Sequence, residues 1–104
     1  MKIKLIGKKY FLKTIKRKMK SVRYLQCYIP IICNIKKGDN VLVQKVELVY
    51  NTHGKIVKFK RTGEPFIKLV SVGPRIYFSQ HNIFVGDDVL INKIEIIENK
   101  IEII

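Results

Sequence analysis

"IKKGDNVLVQ", residues 35–44, and "FVGDDVLINK", residues 84–93, carry one pattern twice: a Gly-Asp turn that runs into a β-branched strand. Glycine supplies the left-handed backbone that a tight turn needs, and aspartate bonds nearby backbone N–H groups. The Val- and Ile-rich run that follows suits a half-buried pleated surface. Aligning the two turns also brings Gly54-Lys55-Ile56 near Asn99-Lys100-Ile101, with a loop three residues shorter in the second copy. An imperfect duplication of a strand, turn and hairpin explains the pair, and turn chemistry met twice by chance is the plainer alternative. Two copies fall short of the roughly three that a stacked solenoid needs.

Outward from the turns, short strands and breakers alternate. "NVLVQKVELVY", residues 40–50, and "KIVKFKR", residues 55–61, read as a hairpin around the turn cluster "NTHG", residues 51–54. "SVRYLQCYIP", residues 21–30, alternates, with Leu25, Cys27 and Ile29 on one face and Tyr24, Gln26 and Tyr28 on the other, until Pro30 stops it. "KIKLI" (2–6), "FIKLVSV" (66–72) and "RIYFS" (75–79) add strands, and residues 85–97 with 100–104 read as a second hairpin around Glu98-Asn99. "KKYFLKTIKRKMK", residues 8–20, is ambiguous. Phe11, Leu12, Ile15 and Met19 recur at helical spacing, yet a strand through Leu12 and Thr14 fits nearly as well. The expected fold is all-β, a small barrel with an extra C-terminal hairpin and at most one short basic N-terminal helix.

A chain of 104 residues supports one domain, and its 47% apolar composition is enough to fold it. The formal charge of +13 is unevenly spread: residues 1–38 hold twelve Lys and Arg and no acid, residues 39–74 six against three, and residues 75–104 three against five. Such a field favours polyanions. A merely solvated face is the bland alternative, but solubility does not require one end of the chain to exclude every carboxylate.

Cys27, Cys33, His53 and His81 lack the close paired spacing of a zinc site, so neither metal nor cofactor is expected. Two reduced, partly buried thiols point to a reducing, cytoplasmic setting. No apolar run approaches membrane-span length, and no signal peptide is recognisable. There is no Gly-rich phosphate loop and no nucleophile with a recognisable base, and Asp87-Asp88 reads as turn chemistry. The expectation is a binding protein, not an enzyme.

The stretch "YIPIICNIKKGDNVLVQKVELVYNTHGKIVKFKRT", residues 28–62, resembles the second half of the S1-like OB barrel in the translation initiation factor one and one-A family. The matching positions are Ile29-Pro30, Ile35 to Gln44, and Lys55 to Thr62. The resemblance implies a basic OB-like barrel portion over residues 1–62, a C-terminal β extension over 63–104 within the same single domain, and RNA binding in translation or at the ribosome. Between Ile-Pro and Gly-Asp the family carries a longer basic loop, where this chain has "IICN" and Lys36-Lys37.

Nucleic-acid binding by a barrel needs cations for phosphates and flat rings for unpaired bases. The expected contacts are Lys13, Lys16, Arg17, Lys18, Lys20, Arg23, Lys36 and Lys37, with Tyr24 and Tyr28 as stacking platforms. RNA stands ahead of DNA as partner, and ribosomal or ribonucleoprotein proteins are expected to dock on the acidic, Ile-rich C-terminal hairpin. A structural ribonucleoprotein or virion component and a swapped-hairpin DNA-binding regulator are the alternatives.

Overall fold

Eight strands account for most of the chain in a computed structural model that describes residues 2–19, 22–78 and 82–98. They are β1 (Lys2–Lys13), β2 (Ile15–Met19), β3 (Val22–Tyr28), β4 (Asn40–Tyr50), β5 (Ile56–Arg61), β6 (Phe66–Leu69), β7 (Arg75–Phe78) and β8 (Asp88–Glu98), with one 3-10 turn at Ile31–Cys33. All ladders are antiparallel. The larger sheet runs β1-β8-β4-β5, with β6 on the same edge of β4 as β5, and the smaller runs β2-β3-β7. The main core, including Cys27, Ile29, Val41, Val43, Ile76, Val89 and Ile91, is drawn from both sheets.

The basic N-terminal helix is not formed, and no α-helix occurs among the described residues. The segment instead leaves one sheet and enters the other at Thr14, which is 1% exposed. Its N–H bonds the Asp87 carbonyl at 2.9 Å, its own carbonyl accepts from Gly86 N–H at 3.0 Å, and its hydroxyl lies 2.6 Å from the Phe84 carbonyl. The helical spacing of Phe11 and Leu12 has a different cause. Leu12 joins the main core, while Phe11 reaches over the other face of the curled larger sheet to meet Phe59 edge-on, with ring centroids 5.2 Å apart. A strand with apolar residues needed on both faces loses its period of two.

The expected second hairpin falls partly on residues 99–104, which lie outside the described residues. Residues 88–98 form β8, laddered to β1 on one side and β4 on the other. Among the described residues, only the β2–β3 and β4–β5 ladders stay on one side of the boundary between residues 62 and 63.

The duplication is present in three dimensions and is longer than the turn. Asn34 and Asn82 both hold positive φ (50° and 52°), and the glycines four residues on, Gly38 and Gly86, follow at 95° and 88°. Asp39 accepts from Lys36 N–H at 2.8 Å, as Asp87 does from Phe84 N–H at 2.7 Å. Val70 brackets the first turn with two backbone bonds as Thr14 brackets the second. Each aspartate then takes its lysine from the opposite copy: Lys93 meets Asp39 at 3.3 Å, and Lys45 meets Asp87 at 3.1 Å. In the β4–β8 ladder Val43 faces its own counterpart Ile91, so a local twofold axis passes between them. The β3–β7 pair Cys27 and Ile76 occupies the corresponding place in the smaller sheet. β1 pairs with β8, and the β5–β6 run pairs with β4, so each repeat's opening strand completes the other repeat's closing strand. The first repeat differs by the longer stretch between Thr14 and Asn34, which makes room for the β2–β3 hairpin.

Candidate nucleic-acid interface

Strand register divides the basic N-terminal third into two populations. Along β1, Lys4 lies opposite Glu95 and Lys13 opposite Asp88, so the acidic strand β8 offsets part of that charge. Lys13 Nζ sits 2.9 Å from Asp88 Oδ1 and 3.3 Å from the Gly86 carbonyl, and the bond to Asp88 raises its pKa. This lysine, expected on phosphate, reaches the second Gly-Asp turn with its side chain still 59% exposed. The β2–β3 hairpin has no such compensation, because residues 15–28 contain no carboxylate.

On that hairpin the ladder sets Lys16 opposite Leu25, Arg17 opposite Tyr24, and Lys18 opposite Arg23. Alternation therefore puts Lys16, Lys18 and Arg23 on the face of Leu25 and Phe78, and Arg17, Tyr24, Gln26 and Tyr28 on the outer face. β7 adds Tyr77 opposite Gln26 and Arg75 opposite Tyr28. The rings of Tyr24 and Tyr77 meet edge-on, with centroids 5.5 Å apart. Lys16, Arg23, Arg75, Tyr24, Tyr77 and Phe84 line one cavity of about 840 Å³, with an apolar side from Leu25, Phe78 and Ile83 and, among the described residues, no carboxylate in its wall.

Three of the expected contacts, Lys16, Arg23 and Tyr24, thus border the same cavity, Tyr24 from the opposite face of the sheet to the other two. Arg17, Lys18 and Tyr28 are exposed on the same small sheet outside the cavity wall. Lys36 and Lys37 are exposed on the first Gly-Asp turn, and Lys37 backbone passes so close to Gly73 that a Cβ there would lie 3.1 Å from its nitrogen. Lys20 lies outside the described residues. Arg75, Tyr77 and Phe84 were not expected. "RIYFS" does carry the cation and aromatic alternation of the hairpin, but pairing across some fifty residues of chain decides that it joins the site.

A second cavity of about 510 Å³ lies on the face of the larger sheet away from the main core, lined by Leu5, Lys8, Lys9, Leu42, Gln44, Arg61, Leu90 and Asn92. Lys9 Nζ and the Arg61 guanidinium lie 5.1 and 5.4 Å from the Phe59 ring centroid. Arg61 also donates to Gln44 at 2.6 Å.

Among the described residues no three His, Cys, Asp or Glu side chains gather as a metal site. Cys27 and Cys33 are free thiols, and burial pushes the Cys27 pKa up to about 12, so at neutral pH it is a packed apolar group. No helix among the described residues is long and apolar enough to cross a membrane. No protein-family model, curated protein or solved structure matches the chain.

Proposed function

We propose that this protein binds single-stranded nucleic acid, RNA ahead of DNA, on the β2-β3-β7 sheet, without catalysing a reaction. The observation that carries the reading is the joint placement of Lys16, Arg23 and Arg75 with Tyr24 and Tyr77 around one cavity whose described lining holds no carboxylate. Cations there neutralise phosphates, and half-exposed rings offer faces to unpaired bases. An S1-like OB identity, work in translation at the ribosome and a cytoplasmic setting belong to the same proposal, supported by the resemblance over residues 28–62. That resemblance leaves β8 unaccounted for, whereas the internal repeat accounts for both Gly-Asp strands.

The interlocked repeats favour a second reading, a swapped-hairpin regulator on duplex DNA. A twofold DNA site calls for matching surfaces on the two repeats, and here Lys36-Lys37 of the first corresponds to Phe84-Val85 of the second. The charge is one-sided, which favours a single strand.

Titrating a fluorescent single-stranded RNA at several salt concentrations tests the proposal, since log K should fall with log salt by about 0.7 per phosphate contact. Changing Lys16, Arg17, Lys18 and Arg23 together to Ser flattens that slope. An unchanged slope removes the hairpin from the interface, and tighter binding to duplex DNA transfers the reading to the regulator.

A further inference from the structure

The cavity of about 510 Å³ on the larger sheet takes no part in the nucleic-acid reading, and its wall has a different chemistry. Leu42 and Leu90 lie on the two inner strands beneath it, and Lys8, Lys9 and Arg61 border it from the two outer ones. Among its described lining residues there is no aromatic ring and no carboxylate. An unpaired base finds nothing to stack on there. The ladders set its length: Arg61 lies in the row of Val46 and Asp88, Leu90 with Gln44 and Leu42 with Asn92 make the next two rows, and Leu5 lies in the row of Ile94 and Asn40. From the first row to the last is about 20 Å along the strands.

Positive charge is gathered by two devices. In β1, Ile6 lies opposite Lys93 and Lys9 opposite Asn92, so Gly7, at φ 75°, and Lys8 form a bulge with no counterpart on β8. Consecutive residues of a regular strand face opposite sides, whereas a bulge re-aims side chains, and here both Lys8 and Lys9 border the cavity. The curl of the sheet then brings its edges together, with Lys9 Nζ and the Arg61 guanidinium both within 5.4 Å of the Phe59 ring centroid. Arg61 is held there by Gln44 Oε1 at 2.6 Å, and Gln44 Nε2 in turn donates to the Gly63 carbonyl at 2.6 Å. Asp88, in the Arg61 row, is paired with Lys13. Two cations brought to one ring repel each other, and an anion between them is attracted by both. The far end is apolar, because Leu5, opposite Ile94, holds the place in the first repeat that Arg61, opposite Val46, holds in the second.

We infer that this cavity binds an aliphatic carboxylate, with its head between Lys9 and Arg61 and its chain lying over Leu90 and Leu42 toward Leu5. Small-molecule sites are concave and mostly apolar, with a few convergent polar groups and a volume of about 300–1,000 Å³, and this cavity meets each of those conditions. Burial of the chain supplies affinity, and the charged end fixes its direction. The site is separate from the β2-β3-β7 surface and does not depend on what binds there.

The test titrates the whole protein calorimetrically with octanoate, decanoate and dodecanoate, each below its micelle concentration. Affinity is expected to rise about fourfold per added methylene, and uncharged dodecanol is expected to bind about tenfold more weakly than dodecanoate. Lys9→Ser with Arg61→Ser, both at exposed positions, is expected to melt near the wild type without ligand and to bind the acid and the alcohol alike. Leu5→Gln, at a position 56% exposed, is expected to weaken dodecanoate more than octanoate. A wild type that binds acid and alcohol equally, an affinity that ignores chain length, or a double variant that keeps the preference for the acid overturns the inference. Sedimentation with phosphatidylglycerol vesicles without uptake of free dodecanoate overturns it too, assigning the cations to a bilayer surface. So does displacement of bound dodecanoate by oligouridylate, which would join the cavity to the nucleic-acid interface.

Discussion

At the scale of single residues, Asp39 and Asp87 are the most constrained side chains of the repeat. The Lys36 backbone N–H, with help from Lys93, holds the Asp39 carboxyl below its usual pKa. For Asp87 burial pushes the pKa up, but the Phe84 N–H and Lys45 outweigh it and the net direction is down. A carboxylate with a folded pKa below its unfolded value stabilises the fold above that unfolded value, near 4, and loses the contribution as pH falls through the folded one. The melting temperature is therefore expected to drop on acidification below about pH 4. Asp39→Asn with Asp87→Asn should melt lower at pH 7 and change less between pH 5 and pH 2, by about 1–3 kcal/mol for the pair. Equal acid sensitivity in that double variant would show that the turns are not the acid-labile points.

At the scale of elements, the β2–β3 hairpin is the first repeat's own addition, and its outer face is where Tyr28 belongs. Its ring is half exposed and lies across the ladder from Arg75, outside the core. Tyr28→Ala is expected to weaken single-strand binding by about 1–3 kcal/mol with little change in melting temperature. A large loss of stability at unchanged affinity would assign the ring to packing instead. The β3 half of this hairpin was legible in the sequence, because Leu25, Cys27 and Ile29 alternate as a strand with one buried face does. Residues 8–20 were not, because Thr14 moves the chain between sheets, and Phe11 and Leu12 are both drawn inward on opposite faces. The candidate site divides in the same way. Lys16, Arg23 and Tyr24 are neighbours on one hairpin, whereas Arg75 and Tyr77 arrive by strand pairing that no local pattern encodes. Lys13 shows the limit from the other side: its charge was plain, and its ion pair with Asp88 depends on the β1–β8 register.

At the scale of the whole molecule, the two repeats cannot be stabilised separately, since β1 completes β8 and the β5–β6 run completes β4. Cleaving the chain in the exposed turn at residues 51–55 should yield two halves that are unfolded alone and regain strand signal by circular dichroism when mixed. A half that folds by itself would contradict the interlocked description. Removal of residues 85–104 takes out a strand paired on both sides, so the remainder should not fold. The same ladder also governs how the molecule gives way under load. Lys2 lies opposite Glu98, where β1 begins and β8 finishes. A force drawn between those two positions peels the strands apart one hydrogen bond at a time, and the resistance is never shared along the ladder. A domain that melts in a single cooperative step would then open at low tension, from that end, with Asp39 and Asp87 still holding their turns until the tear reaches Lys13.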